Sequence, residues 1–368
     1  MDGEKLYQVA LKFIHGIGDV NAKQLVSYCG SASEVFNLPK SKLLKIPGIG
    51  RKTVESISNS SVLSKAEEVI KACEQKEQRI LFYTDSDYPS RLKLANDSPI
   101  TICCQGNGDF NRQKVVAIVG TRKATDYGKT TTEHIVSQLK AHDALIVSGL
   151  AYGIDITAHK AAIKNGLSTI SVLAGGLDKI YPSAHKKYIN DILELGGLVS
   201  EKFPGTTPEA HFFPARNRII AGMADVVIVV EAAERGGALI TAEIAHSYDR
   251  DVFAVPGDLN NAQSKGCNKL ISKQKAHIFS DISDIEYLLN WDLDKASIKN
   301  EKPLLNIDDF KGDDRKIIEV LLQFKSGLAL DELCWKSSVS ISQAVTILLN
   351  LEFDGFVKVL PGKKFKLV

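Results

Sequence analysis

Runs of consecutive apolar residues alternate with amphipathic stretches through the middle of this chain. The apolar runs lie at 115–120, 144–149, 168–176, 225–231 and 251–257, and helical periodicity marks 127–140, 154–165, 184–195 and 238–248. Near-continuous β-branched runs separated by helices indicate parallel strands in a sheet that helices cover on both faces. The pattern therefore predicts an α/β fold with a doubly wound parallel sheet and right-handed crossovers.

The flanking segments have other patterns. Residues from about 80 to 112 contain two strand-like runs, ILFY and ITICC, which we expect to add a strand pair to the central sheet. Three helical stretches and a hairpin that turns at Pro361-Gly362 predict a winged helix at the end of the chain. The predicted domains are a helical module at 1–80, an extended Rossmann-like domain at 81–290, a polar linker at 291–312 and a winged helix at 313–368.

Within the helical module, one pattern occurs twice. Residues 13–18 (the first hairpin) and 44–50 (the second hairpin) each run through Gly-Ile-Gly into an amphipathic helix, which predicts a helix-hairpin-helix pair in a SAM-like module. The glycine turn of such a pair can direct backbone N–H groups at a DNA phosphate. Asp19 follows the first turn, whereas Arg51 and Lys52 follow the second. Such pairs also dock proteins, and both roles stay open.

The third helix of the predicted winged helix has little positive charge. Its polar positions are Ser342, Gln343, Thr346 and Asn350, without any Arg or Lys. Basic residues stand only in the wing, at Lys358, Lys363, Lys364 and Lys366. We therefore favour protein docking over duplex reading for this domain.

Composition narrows the class of protein. No apolar run of the 368 residues approaches the roughly 20 needed to span a bilayer, and the start lacks a signal-peptide pattern. We therefore expect a cytoplasmic protein without membrane association. Six cysteines include no Cys-x-x-Cys pair and no zinc-like spacing. A net charge of only +2 means that binding to nucleic acid would depend on a local patch.

Short loops that carry glycine, arginine or an acid follow the predicted strands. In a doubly wound sheet such loops gather at the carboxyl edge, where ligands bind. Glycines let backbone N–H groups approach phosphate, and arginines offer fork-shaped donors to its oxygens. The candidate ligand-binding residues are Gly120, Thr121, Arg122, Ser148, Gly149, Gly153, Gly175, Gly176, Phe213, Arg216, Asn217, Arg218, Gly236 and Gly237.

Aromatic residues beside arginines favour single-stranded nucleic acid, because bases stack on rings while phosphates pair with cations. Phe213 shortly precedes Arg216-Asn217-Arg218. We expect one of these arginines to contact the ligand and the other to be structural, paired with Glu201 or Glu231. Asp155 and His159 fit a helix cap and a packed helix residue better than ligand contacts.

Signals for catalysis are weak. The chain lacks GxGxxG after the first strand, a GxxxxGK[ST] loop, a metal cluster and a recognisable nucleophile–base pair, so we expect no enzymatic activity and no cofactor. Residues 236–243 partly resemble the PGGxGTxxE signature of nucleoside-monophosphate phosphoribohydrolases, but the Pro and the inner Gly are missing. The alternative is therefore a nucleotide hydrolase with Glu243 as acid or base. A protein-binding scaffold is a third possibility.

Together, the loops resemble the DprA (Smf) family of DNA-processing proteins. The matching stretches are VAIVGTR, SGLAYGIDITAH, GGLDKIYP, SEKFPG, FPARNRIIAG, VVEAAERGGALITAEIA, VFAVPG and SKGCNKLI, in family order across about 115–272. The resemblance implies single-stranded DNA binding at the Rossmann pocket, a homodimer, and loading of the recombinase RecA during natural transformation.

The resemblance also implies roles for individual residues. Arg122 is the arginine of the family's G-[ST]-R motif, and Phe213 is the aromatic before its RNR motif. The family's glycine turns match 149–153 and Gly175-Gly176. Where the family often has a lysine, this chain has Ala210, so either the affinity at that corner would be weaker or Lys202 or Lys265 would supply the charge. Gly236 stands where the family commonly has Ser, so a hydroxyl contact to phosphate would be missing.

Overall fold

A computed structural model describes residues 3–59, 61–291, 307, 310–324, 327–353, 356–360 and 364–367. The chain divides into two compact units, 1–291 and 292–368, and each is described by itself. Most of the predicted linker at 291–312, the Pro361-Gly362 turn and Lys363 lie outside the described residues. Among the described residues, no helix is long and apolar enough to cross a membrane.

A nine-stranded sheet forms the centre of the first unit. Its order is β1-β2-β6-β5-β4-β3-β7-β8-β9, with parallel pairing from β6 to β9 and antiparallel pairing of β1 with β2 and of β2 with β6. The strands are β1 Arg79–Phe82, β2 Thr101–Gln105, β3 Val115–Val119, β4 Leu145–Ser148, β5 Thr169–Val172, β6 Gly197–Ser200, β7 Val226–Val229, β8 Asp251–Ala254 and β9 His277–Ile278. The doubly wound sheet and the extra strand pair are thus confirmed.

Helices cover both faces of this sheet, as near-continuous apolar strands require. The helices that accompany the sheet are α7 Ser90–Lys93, α8 Asp126–Leu139, α9 Ile154–Asn165, α10 Ile189–Leu195, α11 Phe212–Met223, α12 Gly237–Ser247, α13 Lys265–Ser272 and α14 Ile282–Leu289. One core cluster buries α11 and α12 against the sheet, and another buries α8 and α9 on the opposite face.

The N-terminal module is helical, as predicted, and it shares its core with the sheet domain. Its helices are α1 Gly3–Ala10, α2 Asp19–Cys29, α3 Ala32–Asn37, α4 Lys40–Leu43, α5 Arg51–Ile57 and α6 Ser61–Gln75. Leu25 of α2 lies in one cluster with Phe82 and Ile100, and Val9 of α1 lies in another with Leu173 of the sheet domain. The predicted boundary near residue 80 therefore separates patterns of sequence but not two cores.

The second unit is a winged helix around its own core, which includes Ile318, Leu333 and Leu348. Its helices are α15 Gly312–Gln323, α16 Leu330–Ser337 and α17 Ile341–Phe353, and its strands are β10 Leu328–Ala329, β11 Val357–Leu360 and β12 Lys364–Leu367. The strands pair in the order β10-β12-β11. The short β10 is the only one of these elements that the sequence pattern did not predict.

Candidate nucleic-acid interface

The main cleft of the first unit opens where the chain order of the sheet reverses. From the central strand β3 the chain proceeds to β4 on one side, and it later returns to β7 on the other. Ligands of doubly wound sheets bind at such a switch point, beyond the carboxyl ends of the strands. The cleft has a volume of about 740 Å³. Its walls are residues 119–122, Ala151, Asp155, Tyr181, Pro208, Ala210, Phe213, Pro214, Arg216, Asn217, Ile220, 232–233, 235–238, Ile240 and Thr241.

The loop after β3 is fixed from both sides by backbone hydrogen bonds. Thr121 donates its N–H to the Glu231 carbonyl over 2.7 Å, and its own carbonyl accepts from Ile154 over 3.2 Å. Gly153 has φ +76°, and a Cβ there would lie 2.2 Å from the Thr121 oxygen. Only glycine fits this backbone conformation and close approach. Gly153 therefore supports the loop that presents Arg122 and does not line the cleft itself.

Arg122 and Phe213 form the exposed corner of the cleft. The Arg122 guanidinium carbon lies 5.3 Å from the centroid of the Phe213 ring, and the Tyr181 ring meets Phe213 edge to face at 5.6 Å. Arg122 is exposed and has no ion pair in the described part of the chain. A cation held over a half-buried aromatic ring can pair with phosphate while the ring offers a face to a base.

Arg216 lies deeper, with 5% of its surface exposed. It donates through Nη1 to the carbonyls of Gly149 (2.6 Å) and Val172 (2.5 Å), and through Nε to Asn217 Oδ1 (3.2 Å). Burial lowers the pKa of Arg216 to about 10, against the opposing effect of Asp155, so the guanidinium stays charged at neutral pH. Arg216 therefore joins the ends of β4 and β5 and also brings positive charge to the cleft wall.

Asp155 is the acid of the cleft. Its carboxylate accepts from the Ala151 N–H over 3.4 Å. Burial raises the pKa of Asp155, while the positive charges of Arg216 and Arg122 oppose that rise. Among the described wall residues the charged side chains are Asp155, Arg122, Arg216 and Arg235. Three arginines against one acid make the cleft attractive to an anionic ligand.

The amino end of α12 supplies backbone donors on the opposite wall. Gly236 precedes this helix of 11 residues and Gly237 begins it, and both glycines are exposed. The first amides of a helix have no partner within the helix and carry partial positive charge. Asn217 fixes this end by donating to the Gly237 carbonyl over 3.3 Å. The cleft thus combines side-chain cations, an aromatic face and helix-end amides.

Several predicted site residues lie outside this wall. Ser148 is fully buried and donates to the Ile118 carbonyl over 2.6 Å. Gly149 lies beneath Arg216 and lines only a small recess beside the cleft, which it shares with Gly175.

The Gly176 N–H donates to the Thr206 carbonyl over 2.9 Å, and the segment that includes Pro208 covers the Gly175-Gly176 turn. The glycine turn after β5 is therefore buried, and the prediction that it faces phosphate is corrected.

Arg218 is the structural arginine of the pair. It donates to Glu201 and to the Asp97 carbonyl, and its contact with Asp19 measures 3.4 Å. The predicted partner Glu201 is thus present, while Glu231 accepts from Thr125 instead. Because its charge is neutralised by two acids away from the cleft, Arg218 is removed from the candidate DNA contacts.

The substitutes expected for the missing family lysine do not line the cleft. Lys202 pairs with Glu201 at 2.9 Å, and Lys265 is exposed at the start of α13. Ala210 does lie in the cleft wall. The additional cation is instead Arg235, which sequence reasoning missed although it directly precedes Gly236. Tyr181 was missed as well, because nothing near it in sequence indicates that its ring reaches Phe213.

The predictions for three other polar residues have different outcomes. His159 is structural, as expected: its ring nitrogens meet Thr169 Oγ1 (2.7 Å) and Ser171 Oγ (3.3 Å), and burial lowers its pKa to about 3. Glu243, the acid of the hydrolase alternative, is exposed and pairs with Lys275 at 3.1 Å outside the cleft wall. Asp155, which was expected to be a helix cap, instead lines the cleft.

Comparisons with known sequences agree with this arrangement. Residues 79–290 match the family described as DNA recombination-mediator protein A, 311–363 the DprA winged helix domain, and 9–60 a SAM-like helix-hairpin-helix tandem. Protein Smf of Synechocystis sp. is 30% identical over 396 aligned residues, with 99% of each chain covered. DNA processing protein DprA of Streptococcus pneumoniae is 43% identical over 189 residues, which cover 51% of this chain and 67% of the relative.

Solved structures give the same result. The X-ray structure of DNA processing protein A from Streptococcus pneumoniae aligns with a TM-score of 0.66 at 34% identity, covering 77% of this chain and 97% of that one. A Helicobacter pylori DNA processing protein A, whose structure concerns its single-stranded DNA binding mode, aligns with a TM-score of 0.53 at 31% identity, covering 58% and 95%. With 34% and 31% of aligned residues identical, both neighbours are related to this chain in sequence as well as in fold.

Proposed function

Because this chain belongs to the DprA (Smf) family of DNA recombination mediators, we propose that its cleft binds single-stranded DNA. The observation that carries the proposal is the exposed Arg122 over the Phe213 ring, beside the buried Arg216. Arg122, Arg216 and Arg235 would neutralise phosphates, and the amides at Gly236-Gly237 would fix the strand. Stacking of a base on Phe213 would add about 1–3 kcal/mol.

The proposed cellular role is to protect incoming single strands and to load RecA on them during natural transformation. We further propose that the protein works in the cytoplasm as a homodimer and without catalysing a reaction. Support comes from family membership and from the cleft chemistry, which suits a polyanion with exposed bases. The hydrolase alternative is weakened because Glu243 lies outside the cleft and is paired with Lys275.

The first test compares wild type with Arg122→Ala for binding of a labelled single strand by fluorescence anisotropy. We expect the variant to bind about 10-fold or more weakly and its salt slope to fall by about 0.7, because one phosphate contact of a single strand is lost. Lys123→Ala is the matched control, since Lys123 is an exposed neighbour of equal charge outside the cleft wall. Equal losses in both variants would place the DNA elsewhere.

The mediator role needs a separate readout. Single strands coated with single-strand-binding protein resist RecA, so RecA-dependent strand exchange on coated strands reports loading. Wild type should relieve the block and Arg122→Ala should not, while Lys123→Ala should behave as wild type. Tight DNA binding without relief would leave a binding protein that does not load RecA. Release of free base from nucleoside monophosphates would revive the hydrolase alternative.

A further inference from the structure

The two hairpins of the N-terminal module have diverged in use. They pack against each other: the His15 N–H donates to Ser56 Oγ over 2.8 Å, and Gln24 donates to the Pro47 carbonyl over 3.3 Å. Beyond this contact the two copies differ in charge and in partners. The first hairpin docks within the first unit, whereas the second hairpin remains exposed to solvent.

The first hairpin is engaged by the sheet domain. Asp19, directly after its turn, accepts from Lys12 (2.9 Å) and from the Ile100 N–H (3.0 Å) and contacts Arg218 (3.4 Å). Lys23 of the following helix donates to Ser98 Oγ over 2.5 Å. The carboxylate and the lysine of this copy are therefore used inside the protein, and a phosphate would meet the negative charge of Asp19.

The second hairpin and the helices on either side of it, α4 and α5, carry a dense group of unneutralised cations, which we call the basic patch. No acidic residue occurs between Glu34 and Glu55, although the whole chain has a net charge of only +2. Every cation of the patch is exposed, and in the described part of the chain none has a side-chain hydrogen bond or an ion pair. The patch comprises Lys40, Lys42, Lys45, Arg51 and Lys52.

Two of these cations occupy an unfavourable position. Arg51 and Lys52 stand in the first turn of α5, which contains no acid, whereas Asp19 occupies the first turn of α2. Positive charge near a helix start opposes the helix dipole. Mutual repulsion within the patch is unfavourable too. Violations of local preference without a compensating partner mark functional surfaces.

We propose that the basic patch is a second nucleic-acid site, which binds the phosphodiester backbone outside the cleft. Nothing lies within 4 Å of the position of an added Cβ at Gly48 or Gly50, so a backbone can approach the hairpin. Segment 38–58 contains no aromatic residue, so the patch offers no stacking face. It therefore contacts phosphate without reading bases and accepts paired strands, unlike the cleft. The proposal does not depend on the proposed function of the cleft.

Two sources can supply this backbone: a duplex, or the same single strand where it leaves the cleft. The test uses the full chain and four labelled DNAs: a blunt duplex, a tailed duplex, a long single strand, and a short strand of about eight nucleotides that fills one site. The variant Lys45→Ala/Arg51→Ala/Lys52→Ala removes three patch cations. Lys160→Ala/Lys164→Ala/Lys273→Ala removes three exposed lysines elsewhere and is the matched control.

We expect the patch variant to bind the duplex or the long strand about 10-fold or more weakly at low salt, with a salt slope reduced by about 2, while its short-strand affinity stays within about 2-fold of wild type. Loss on duplex identifies paired DNA as the source, and loss on the long strand alone identifies the single strand. A wild-type profile on every DNA, or an equal loss in the matched control, would overturn the proposal.

Two further arms keep the result interpretable. Lys40→Ala/Lys42→Ala removes patch cations from α4 and should weaken binding to the same DNAs, even if the triple patch variant were to fold poorly. Arg122→Ala should show the converse pattern, with loss on the short strand and little change on the duplex. Normal short-strand binding by Arg122→Ala together with a weakened patch variant would reject the cleft proposal and keep the basic patch.

Discussion

At the scale of single residues, Arg216 links stability to the chemistry of the cleft. Its Nη1 satisfies two buried carbonyls, of Gly149 and Val172, while the same guanidinium lines the cleft. An unpaired buried carbonyl costs about 1–3 kcal/mol, so the guanidinium is held where the fold needs it. A change that displaces Arg216 should therefore lower both stability and DNA affinity.

Gly149→Ala tests this link without removing the charge. A Cβ at Gly149 would lie 2.4 Å from Arg216 Nη1 and 2.6 Å from Cζ, and the guanidinium is pinned by its hydrogen bonds. We expect a loss of about 1–3 kcal/mol in the free energy of unfolding, since overpacking a buried site forces a shift. Urea denaturation measures the loss, and anisotropy should show weaker single-strand binding.

The control for this substitution is Gly18→Ala. Gly18 has an extended backbone with φ −94°, and nothing lies within 4 Å of the added methyl group. Its change in stability should stay under about 1 kcal/mol, because Ala is a poorer N-cap of α2 than Gly but meets no steric clash there. If Gly149→Ala behaved like Gly18→Ala, Arg216 would be free to move and its proposed bracing role would be wrong.

The roles of some single residues could be predicted from the sequence, and those of others could not. Arg122 was predictable because a polar loop after a buried central strand must lie at the carboxyl edge of the sheet. The roles of Arg216 and Arg218 could be expected to differ, but not which was which, because Asp19 and Glu201 approach Arg218 only through tertiary packing. Burial of the Gly175-Gly176 turn likewise depends on a segment about 30 residues later in sequence.

At the scale of elements, the central strands were easy to predict, whereas helix α11, on which the cleft depends, was not. β-Branched runs defined β3, β4, β7 and β8 to within a few residues. Helix α11 was not predicted, because Phe212, Phe213 and Pro214 at its start suggest irregular chain. Proline is tolerated in the first turn, where its missing N–H would have no helical partner anyway. The unassigned helix contains the arginine that braces the cleft.

The contribution of one element contact to stability can be tested at Asp19, because this residue connects α2 to the sheet domain. Burial by itself would raise its pKa, but Lys12, the Ile100 N–H and Arg218 together hold the pKa below the usual value. The ionised form is therefore stabilised by folding. Asp19→Asn should lower the free energy of unfolding at pH 7 by about 1.5–3 kcal/mol, the range for hydrogen bonds to a charged group.

The pH dependence has a definite sign. A depressed carboxyl pKa contributes stability above the unfolded value, about 3.9, and that contribution is lost as pH falls through the lower folded value. The gap between wild type and Asp19→Asn should stay constant from pH 7 to 5 and narrow below about pH 4. Asp87→Asn, which breaks an exposed pair with Arg79, is the control and should cost under about 1 kcal/mol. A gap independent of pH would show that the Asp19 carboxylate is not the source of the stability.

At the scale of the whole molecule, the described residues form several surfaces that differ in their chemistry. The cleft combines cations with aromatic rings, and the basic patch offers cations alone. On the winged helix, a groove lined by Ser342, Gln343 and Thr346 also contains Asp313 and Asp314. Asp313 is paired with Lys316 at 2.7 Å, and Asp314 would repel a duplex backbone, so docking of a protein by this domain stays our prediction.

If the protein works as a homodimer, its two clefts can hold one strand. The second cleft then binds at a high effective concentration, and affinity should rise by about 10²–10⁴ once the oligonucleotide is long enough to reach both. Fluorescence anisotropy across a series of oligonucleotide lengths at constant salt measures this rise in affinity.

Adding an excess of full-length Arg122→Ala subunits should convert wild-type subunits into mixed dimers with one competent cleft. The long-strand gain should then disappear while short-strand affinity stays unchanged, and the same excess of Lys123→Ala subunits should have no effect. An affinity that rises smoothly with length and ignores the mixed subunits would show that each cleft binds DNA independently, so dimerisation would have to serve another purpose.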